Sequence, residues 1–318
     1  MLLSHKMKSP KSKHKLRTIS DLVRHLSVNE SYLCELLDDL NSDDTKLYRS
    51  WEAPKRSGGT RPIDAPREKL QFIQERINER ILQRTRIHEA AIGGVRGKRL
   101  IDNLTIHIGK PMVANFDLEK FFSNITSKRV CRTFCAIGAA PDVAKVLMQL
   151  TTFKGRLPQG APTSPMLANL VAGYGGRSCL DGRIDFLCKK HRSRNRRWID
   201  DISISGPRYL KKIKPTVERI IGQSGFKPNR DKEDFVLNKE SQVVTRHLVN
   251  VKPNIRKDER RRLRAILHKC MTKGPEMFSE NTVEGLKNRL RGKIAHFQSV
   301  NPELGAKFLK DFNSIQWP

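Results

Sequence analysis

Three aspartates occupy positions from which their side chains could act together. Asp117 follows the apolar segment 112–116, and the pair Asp200 and Asp201 lies within the apolar segment 198–204. A carboxylate among apolar neighbours is costly unless its charge is neutralised. Adjacent carboxylates also repel each other, and a divalent cation relieves that repulsion. The pair therefore predicts a cation site, although a single aspartate of this kind is more often a turn residue or a helix cap.

Such a site suits phosphoryl transfer. Mg²⁺ prefers oxygen ligands and keeps coordination positions for water and substrate phosphates. Two ions about 3.5–4 Å apart stabilise the attacking and the leaving oxygen of a phosphoryl transfer. Attack of a 3′-hydroxyl on the α-phosphate of a nucleotide, with release of pyrophosphate, is one such reaction. We therefore expect two Mg²⁺ ions, replaceable by Mn²⁺, at Asp117, Asp200 and Asp201.

A large excess of positive charge limits the classes of partner. The 318 residues include 62 Lys and Arg but 33 Asp and Glu, which gives a formal net charge of +29. A chain this basic repels itself unless a polyanion neutralises it, and nucleic acid is the usual polyanion. The basic residues also cluster, as in 192–197, which favours a nucleic-acid partner over a chain that is merely very soluble.

Membrane and zinc-binding classes are disfavoured. No apolar run approaches the ~20 residues that span a bilayer, and residues 1–17 contain no apolar core of signal-peptide length. We therefore expect a cytoplasmic protein. The six cysteines form no CxxC pair, which argues against a zinc site.

Helical and extended patterns alternate along the chain. Apolar residues at helical spacing predict one or two helices over 18–40, with Ser31 as a candidate cap for the second. Segment 47–66 indicates a β-hairpin with its turn at 57–60, and the spacing over 67–86 predicts a long amphipathic helix.

The aspartates themselves belong to extended segments. Asp117 ends a short strand, whereas Asp200 and Asp201 lie at the tip of a hairpin over 198–206. Segment 235–251 is rich in β-formers, and the chain after residue 258 is helical and basic. Strands mixed with helices in this order favour an α+β fold.

Four segments resemble, in order, the catalytic motifs of reverse transcriptases. They are NFDLEKFF at 115–122, LPQGAPTSPMLANL at 157–170, WIDD at 198–201 and GFKPNRDKE at 225–233. Trp198 and Ile199 stand in place of the usual Tyr-Ala, a departure that bears on processivity or fidelity, whereas both aspartates remain. The resemblance covers about residues 45–255 and implies an RNA-directed DNA polymerase, which is a nucleotidyltransferase.

Two further elements resemble the retron type of reverse transcriptase. Retron enzymes carry Asn-Ala-x-x-His before the first catalytic motif, and this chain keeps Asn103 and His107 but has Leu at the second position. They also carry Val-Thr-Gly after the fourth motif, and this chain keeps Val244 and Thr245 but has Arg246 in place of Gly.

The resemblance implies a right-hand fold with fingers, a palm sheet covered by helices, and a helical thumb. The division is a basic N-terminal arm and helical extension at 1–44, fingers and palm at 45–255, and a basic thumb at 256–318. The thumb would grip the template–primer duplex and recognise a structured RNA. Its plainer interpretation is a solvated pair of basic helices.

The resemblance also implies residue roles. Asp117 and Asp200 would be the main metal ligands, with Asp201 and the backbone carbonyl of Leu118 completing the site. Phe122 would be a steric gate against a 2′-hydroxyl, and Arg61, with help from Lys55 or Arg56, would contact the triphosphate. Gln159 and Gly160 would pack on the incoming nucleotide and the template. Lys232 would be the proton donor to the leaving pyrophosphate. Phe122 could instead be a plain core residue, and Lys55 and Lys232 could be ordinary surface lysines.

A retron-type enzyme would use a cognate noncoding RNA as template and would prime from a 2′-hydroxyl of that RNA. Its product would be branched multicopy single-stranded DNA, an RNA–DNA hybrid made from deoxynucleoside triphosphates. Antiphage defence alongside an effector protein is implied as well. The alternatives are an intron-type or abortive-infection reverse transcriptase and a non-catalytic RNA-binding scaffold. A chain ending at residue 318 is expected to leave no room for the further domains of an intron-type enzyme.

Overall fold

The structure is a computed structural model that describes residues 16–55, 58–278 and 282–318. The basic arm predicted before residue 16, and Arg56 and Ser57 of the hairpin turn, lie outside the described residues. Helices and strands are mixed along the chain, as the α+β prediction requires.

The helices are α1 (Ile19–Leu26), α2 (Glu30–Asp43), α3 (Glu68–Arg80), α4 (Leu100–Leu104), α5 (Ser127–Ala136), α6 (Pro141–Thr151), α7 (Ser164–Gly173), α8 (Leu180–Lys190), α9 (Lys214–Gln223), α10 (Lys257–Lys273), α11 (Val283–Val300) and α12 (Pro302–Asn313). The strands are β1 (Tyr48–Pro54), β2 (Thr60–Pro66), β3 (Met112–Asp117), β4 (Arg194–Trp198), β5 (Asp201–Gly206), β6 (Asp234–Leu237), β7 (Val243–Val244) and β8 (His247–Leu248).

The N-terminal stretch folds as two helices, and the cap predicted at Ser31 is wrong. Thr18 caps α1, because its hydroxyl accepts a hydrogen bond from the Asp21 backbone N–H at 3.1 Å while the Asp21 carboxylate accepts one from the Thr18 N–H at 3.1 Å. Asn29 supplies the extended backbone that precedes α2. Ser31 therefore lies inside the first turn of α2.

Helix α3 is shorter than the spacing over 67–86 predicts. It ends at Arg80 and is followed by a 3₁₀ turn. Gln83 binds the glycine-rich loop at residues 90–100: its Nε2 donates to Gly94 O at 3.0 Å, and its Oε1 accepts from Arg96 N at 2.8 Å. The connection to this loop replaces the last predicted turns of the helix.

Strands β1 and β2 form the predicted hairpin, which is a sheet of its own. The pairing runs from Tyr48 opposite Pro66 to Pro54 opposite Thr60. At its base the buried Tyr48 ring stacks on Phe153 with 4.1 Å between centroids. The hairpin is thus anchored at its base, whereas most residues towards the turn are exposed.

A four-stranded antiparallel sheet, in the order β4-β5-β3-β6, carries the aspartates. The hairpin predicted over 198–206 begins earlier, since β4 starts at Arg194. Because side chains alternate between the two faces of a strand, Phe116 and Ile202 pack into the main core, whereas Asn115 and Ser203 lie on the opposite face. That opposite face also bears Asp117 and Asp201.

A second hydrophobic cluster joins the C-terminal helices to the sheet. Leu263, Leu290 and Phe308, from α10, α11 and α12, pack in one cluster with Val113 of β3 and Val244 of β7. The segment predicted to be rich in β-structure holds only the short strands β6, β7 and β8. Within the residues that the structure describes, no helix is long and apolar enough to cross a membrane.

Candidate active site

Asp117, Asp200 and Asp201 meet at one end of the central sheet. Asp117, the last residue of β3, lies directly opposite Asp201, the first residue of β5. Asp200 occupies the turn between β4 and β5, and its carbonyl oxygen accepts a hydrogen bond from Leu118 N at 3.1 Å. Antiparallel pairing therefore brings together carboxylates that are more than eighty positions apart in the sequence.

The surroundings leave negative charge poorly compensated. Burial, followed by the charges of Asp200 and Asp117, raises the pKa of Asp201 to about 7. Burial also raises the pKa of Asp200, and the Asp117 carboxylate adds to the effect. Both neighbouring carboxyl groups thus have a pKa above that of a free aspartate, as expected where a cation normally supplies the missing charge.

Asp117 is engaged by two side chains of the 225–233 segment. Lys232 Nζ lies 3.0 Å from Asp117 Oδ1, and Asn229 Nδ2 donates to Asp117 Oδ2 at 3.0 Å. While Asp117 makes these two contacts, no group of three or more His, Cys, Asp or Glu side chains in the described ranges is arranged to hold a metal ion. The all-oxygen donor set fits Mg²⁺ in its chemistry, and ligation by Asp117 requires these two contacts to open.

A cavity of about 160 Å³ adjoins the carboxylates. It is lined by Asn115, Phe116, Asp117, Asp201, Ser203, Lys232, Asp234, Val243, Thr245 and Arg246. The cavity thus brings together Asp117, Asp201, Lys232 and Thr245, which the sequence predicted for the site or for the retron motif.

Asn115 organises the polar wall of this cavity. Its Oδ1 accepts from Ser203 Oγ at 2.8 Å, and its Nδ2 donates to Asp234 Oδ1 and to Val243 O, both at 2.8 Å. The sequence alone predicted no role for Asn115, Ser203 or Asp234. The alternation of side chains in a strand was an available signal, because Asn115 precedes Asp117 by two positions and Ser203 follows Asp201 by two.

A buried arginine supports the turn that presents Asp200. Arg197 is 1% exposed and makes a forked contact with Asp181, Nε to Oδ1 at 2.7 Å and Nη2 to Oδ2 at 2.6 Å. Its Nη1 donates to Asn169 Oδ1 at 2.8 Å and to Ile199 O at 2.7 Å. The sequence showed Arg197 only as part of a basic run, with no sign that it is buried.

The glycine-rich loop packs against Trp198 and Ile199, the two residues that stand in place of the usual Tyr-Ala. A Cβ on Gly93 would stand 3.0 Å from Trp198 Cδ2 and 3.1 Å from Ile199 N. A side chain at position 93 would therefore require Trp198 or the backbone of Ile199 to shift by a few tenths of an ångström. Asn169 Nδ2 donates to Gly93 O at 2.6 Å and secures the contact.

The two retron-like elements contact each other and the sheet. Asn103 Nδ2 donates to Thr245 Oγ1 at 2.9 Å, and Val244 is buried beside them. His107 is fully buried, with Nδ1 2.7 Å from Ser205 Oγ. Burial, then the nearby Arg196 and Lys110 charges, lowers the pKa of His107 to about 3, so the ring is neutral and structural in this setting.

The predicted nucleotide-binding residues do not line the cavity, Lys232 excepted. Phe122 is half-buried against Phe121, with 5.8 Å between ring centroids. Gln159 O accepts from Asp64 N at 2.7 Å, and a Cβ on Gly160 would stand 3.0 Å from Asp64 O. The loop at residues 157–163 therefore packs on β2.

Lys55 and Arg61 are exposed near the tip of the same hairpin. The contact between β2 and the 157–163 loop thus joins the segments that carry Arg61 and Gln159, although neither residue lines the cavity beside the aspartates.

Residues 53–270, more than half of the chain, match the family described as reverse transcriptase (RNA-dependent DNA polymerase). The retron Mx65 reverse transcriptase of Myxococcus xanthus is 30% identical, over 90% of this chain and 69% of that protein. The retron Mx162 enzyme of the same organism is 27% identical, over 86% of this chain and 62% of that protein. The match to the retron Ec86 enzyme of Escherichia coli is 31% identical, over 52% of this chain and 51% of that protein.

Among solved structures, telomerase from Candida albicans in complex with a fragment of telomeric RNA superposes with a TM-score of 0.46 at 10% identity, covering 91% of this chain and 61% of that one. The sequence matches, and not this superposition, identify the family. They extend over both the catalytic motifs and the retron-like elements. The chain belongs to the reverse transcriptases, the RNA-directed DNA polymerases, and among them to the retron type.

Proposed function

We propose that this chain extends a DNA strand on an RNA template at Asp117, Asp200 and Asp201. One observation carries the proposal: Asp117 and Asp201 oppose each other across β3 and β5, beside Asp200, and the surroundings raise the pKa of both Asp200 and Asp201. Mg²⁺, or Mn²⁺ in its place, would be held by these carboxylates with the Leu118 carbonyl, and when bound it supplies charge stabilisation to the attacking and leaving oxygens. The remaining roles fall to the chain's own residues.

Lys232 is the candidate proton donor to the leaving pyrophosphate. Burial alone would lower the pKa of Lys232, but the hydrogen bond to Asp117 and the charges of Asp117, Asp200 and Asp201 outweigh it and raise the pKa. The ammonium group therefore stays protonated at neutral pH. Its side chain is 55% exposed, so it can turn towards a phosphate when the contact with Asp117 opens.

The fingers hairpin and the 157–163 loop would bind the deoxynucleoside triphosphate. Arg61, with Lys55 beside the turn, offers forked or single cationic contact to phosphates. Gln159 and Gly160, which pack on β2, would lie under the nucleotide and template. Phe122 would occupy the space that a 2′-hydroxyl needs. The contact of Gln159 O with Asp64 N at 2.7 Å supports one continuous surface for these roles.

The retron assignment extends the proposal to the substrate. The chain would copy part of a cognate noncoding RNA, prime from a 2′-hydroxyl of that RNA, and leave a branched RNA–DNA product. Two observations support this: the similar proteins are named retron reverse transcriptases, and the two retron-like elements meet through the bond from Asn103 to Thr245. A role in cytoplasmic antiphage defence with an effector protein belongs to the same proposal.

The thumb at 256–318 would select the RNA. Helix α10 exposes a row of basic side chains, namely Lys257, Arg261, Arg262, Arg264, Lys269 and Lys273. Such a surface suits the phosphate backbone of an A-form stem. Exchanging this segment for that of a related enzyme should switch which RNA is copied while extension of a generic primed template survives. If the chimera still copies its original RNA, recognition of that RNA lies outside residues 256–318.

The direct test of the proposed activity uses the purified protein with its copurifying nucleic acid. That nucleic acid is sequenced, and labelled deoxynucleotides are supplied with Mg²⁺, with Mn²⁺ or with a chelator. We expect incorporation with either cation, none with the chelator, and a product whose RNA–DNA junction is opened by a debranching nuclease. Absence of incorporation with both cations would favour a non-catalytic RNA-binding scaffold.

A further inference from the structure

A half-buried arginine of α5 holds the chain where α9 ends. Arg129 donates from Nη1 to Gly225 O and from Nη2 to Ser224 O, both at 3.0 Å. Its guanidinium carbon lies 4.3 Å from the centre of the Phe226 ring. A planar guanidinium group makes two forked hydrogen bonds and a stacked contact at once, which an ammonium group does not. These contacts to three successive residues form the Arg129 clamp.

The position of the Arg129 clamp suits a cation. The last carbonyl groups of a helix have no partner within the helix and carry partial negative charge. Ser224 directly follows α9, and Gly225 turns the chain away with a φ of 74°. Burial lowers the pKa of Arg129, so its charge is costly in this place unless oxygen atoms accept its hydrogen bonds. The guanidinium group and the two carbonyl groups therefore stabilise each other.

The segment that starts at this clamp leads to Asp117. Glu119 N donates to Lys227 O, and Asn229 N donates to Asp117 O, both at 2.8 Å. The chain therefore runs alongside the end of β3. The side chains of Asn229 and Lys232 then reach the Asp117 carboxylate, each at 3.0 Å. The Arg129 clamp and Asp117 are thus contacts at opposite ends of one short segment.

The two contacts differ in what happens when the site is in use. Ligation of a metal ion by Asp117 requires its contacts with Asn229 and Lys232 to open. The segment itself contains only a 3₁₀ turn at Arg230–Lys232, and the Lys232 side chain is 55% exposed. The Arg129 clamp lies outside the carboxylate site and does not depend on those contacts. It is therefore the anchor that remains for Lys232 once Asp117 is engaged elsewhere.

We propose that Arg129 positions Lys232 for the leaving pyrophosphate by holding the 225–233 segment at the end of α9. This inference rests on the proposed function, because it takes Lys232 to be the proton donor. In that step the 3′-hydroxyl gives its proton to water, and its oxygen bonds to the α-phosphorus. The bond from the α-phosphorus to the bridging oxygen breaks, and the Lys232 ammonium proton passes to that oxygen. Arg129 acts through Lys232 and is a positioning residue.

Arg129→Lys keeps the charge but removes the fork and the stacked contact. Arg132→Lys is the matched control, because Arg132 is an exposed residue of the same helix. Hydrogen exchange is measured first, by mass spectrometry of the metal-free proteins in chelator. We expect peptides from residues 225–233 to exchange at least about fivefold faster in Arg129→Lys. Peptides from the other elements, and all peptides of the control, should stay within about twofold of wild type. Unchanged exchange of 225–233 would overturn the inference.

The second measurement is the rate of adding one nucleotide to a primed RNA template, in a single turnover with Mg²⁺. Two analogues carry CH₂ or CF₂ in place of the oxygen between the β- and γ-phosphates, and fluorine makes the CF₂ leaving group more acidic. We expect Arg129→Lys to lower the maximal rate with natural nucleotide about tenfold, while KM for nucleotide stays within about threefold. The loss should be at least about fivefold larger with the CH₂ than with the CF₂ analogue, because an acidic leaving group needs less help from a proton donor.

The outcomes separate positioning from a merely structural role. Both measurements compare peptides or substrates within one preparation, so a smaller folded fraction of the variant does not imitate either effect. An equal loss with the two analogues would overturn the inference, as would identical behaviour of Arg129→Lys and Arg132→Lys. If the wild type adds no nucleotide with Mg²⁺ or Mn²⁺, the proposed function fails, and the exchange comparison alone decides whether Arg129 holds the segment.

Discussion

The guanidinium group of Arg197 donates a hydrogen bond of 2.7 Å to the carbonyl oxygen of Ile199, the residue before Asp200. Ile199 has a φ of 60°, a conformation that β-branched residues rarely adopt. Arg197 is itself fixed by its forked ion pair with Asp181 and by Asn169. A buried network thus holds the strained turn from which Asp200 projects.

Arg197→Lys should lower both stability and activity. A lysine ammonium cannot make the forked contact with Asp181 and also reach Ile199 O. Disruption of a buried pair costs about 3–5 kcal/mol when one partner is removed, so we expect a loss of about 2–4 kcal/mol in the free energy of unfolding, measured in urea. Arg194→Lys, at an exposed position of the same strand, is the control. Equal unfolding energies for the two variants would contradict the role of the network.

In the metal-free protein, the contribution of Asp201 to stability should fall as the pH rises from about 4 to 7. The folded-state pKa of Asp201, about 7, lies above the ~3.9 of an unfolded chain. The folded state therefore binds more protons in this window, and the free energy of unfolding falls as those protons leave. Because Asp201 is partly exposed, we expect only about 1–2 kcal/mol from it.

Urea unfolding in chelator between pH 4.5 and 8 measures this effect. Asp200 shifts in the same direction, so the contribution of Asp201 is the difference between wild type and Asp201→Asn. We expect the variant to gain stability over wild type progressively up to about pH 7. Parallel curves for the two proteins would refute the raised pKa.

Phe122→Ala should admit ribonucleotides. The half-buried ring is proposed to exclude a 2′-hydroxyl by its bulk, so its removal lowers the discrimination between deoxy- and ribonucleoside triphosphates. The ratio of kcat/KM for the two substrates is the quantity to compare, and we expect it to fall about tenfold or more. A variant that stays active with an unchanged ratio would show that Phe122 is only a core residue.

Arg61→Ala should raise KM for all four deoxynucleotides to a similar extent. A contact with phosphate is independent of the base, and hydrogen bonds to charged groups contribute about 1.5–3 kcal/mol, so the rise should be about tenfold or more. Arg49→Ala removes an exposed arginine from the same hairpin, at its base, and should leave KM within twofold. A defect limited to one base would argue against triphosphate binding.

Short-range patterns were sufficient to find the three aspartates and most of the elements that carry them. An apolar strand that ends in Asp117, and an Asp-Asp pair in an apolar hairpin, are visible in short windows of sequence. The β1–β2 hairpin follows from the pattern over 47–66 in the same way. Strand alternation could also have indicated Asn115, because it shares a face with Asp117.

Contacts between distant segments were not predictable in this way. The bond from Asn103 to Thr245 joins residues 142 positions apart, and the basic run gave no sign that Arg197 is buried against Asp181. Helix ends were missed for a related reason. The early end of α3 depends on Gln83 binding a loop that follows it, and the sequence pattern of the helix does not contain that partner.

The carboxylates at the tip of the β4–β5 hairpin are proposed to drive strand extension. Asp200→Asn is compared with wild type in extension of a primed RNA template with Mg²⁺, and Asp231→Asn, at an exposed position near Lys232, is the matched control. We predict that Asp200→Asn lowers kcat at least about a hundredfold while thermal unfolding and RNA binding stay close to wild type, and that Asp231→Asn remains active. Near-normal extension by Asp200→Asn in Mg²⁺ would show that Asp200 is not needed for strand extension.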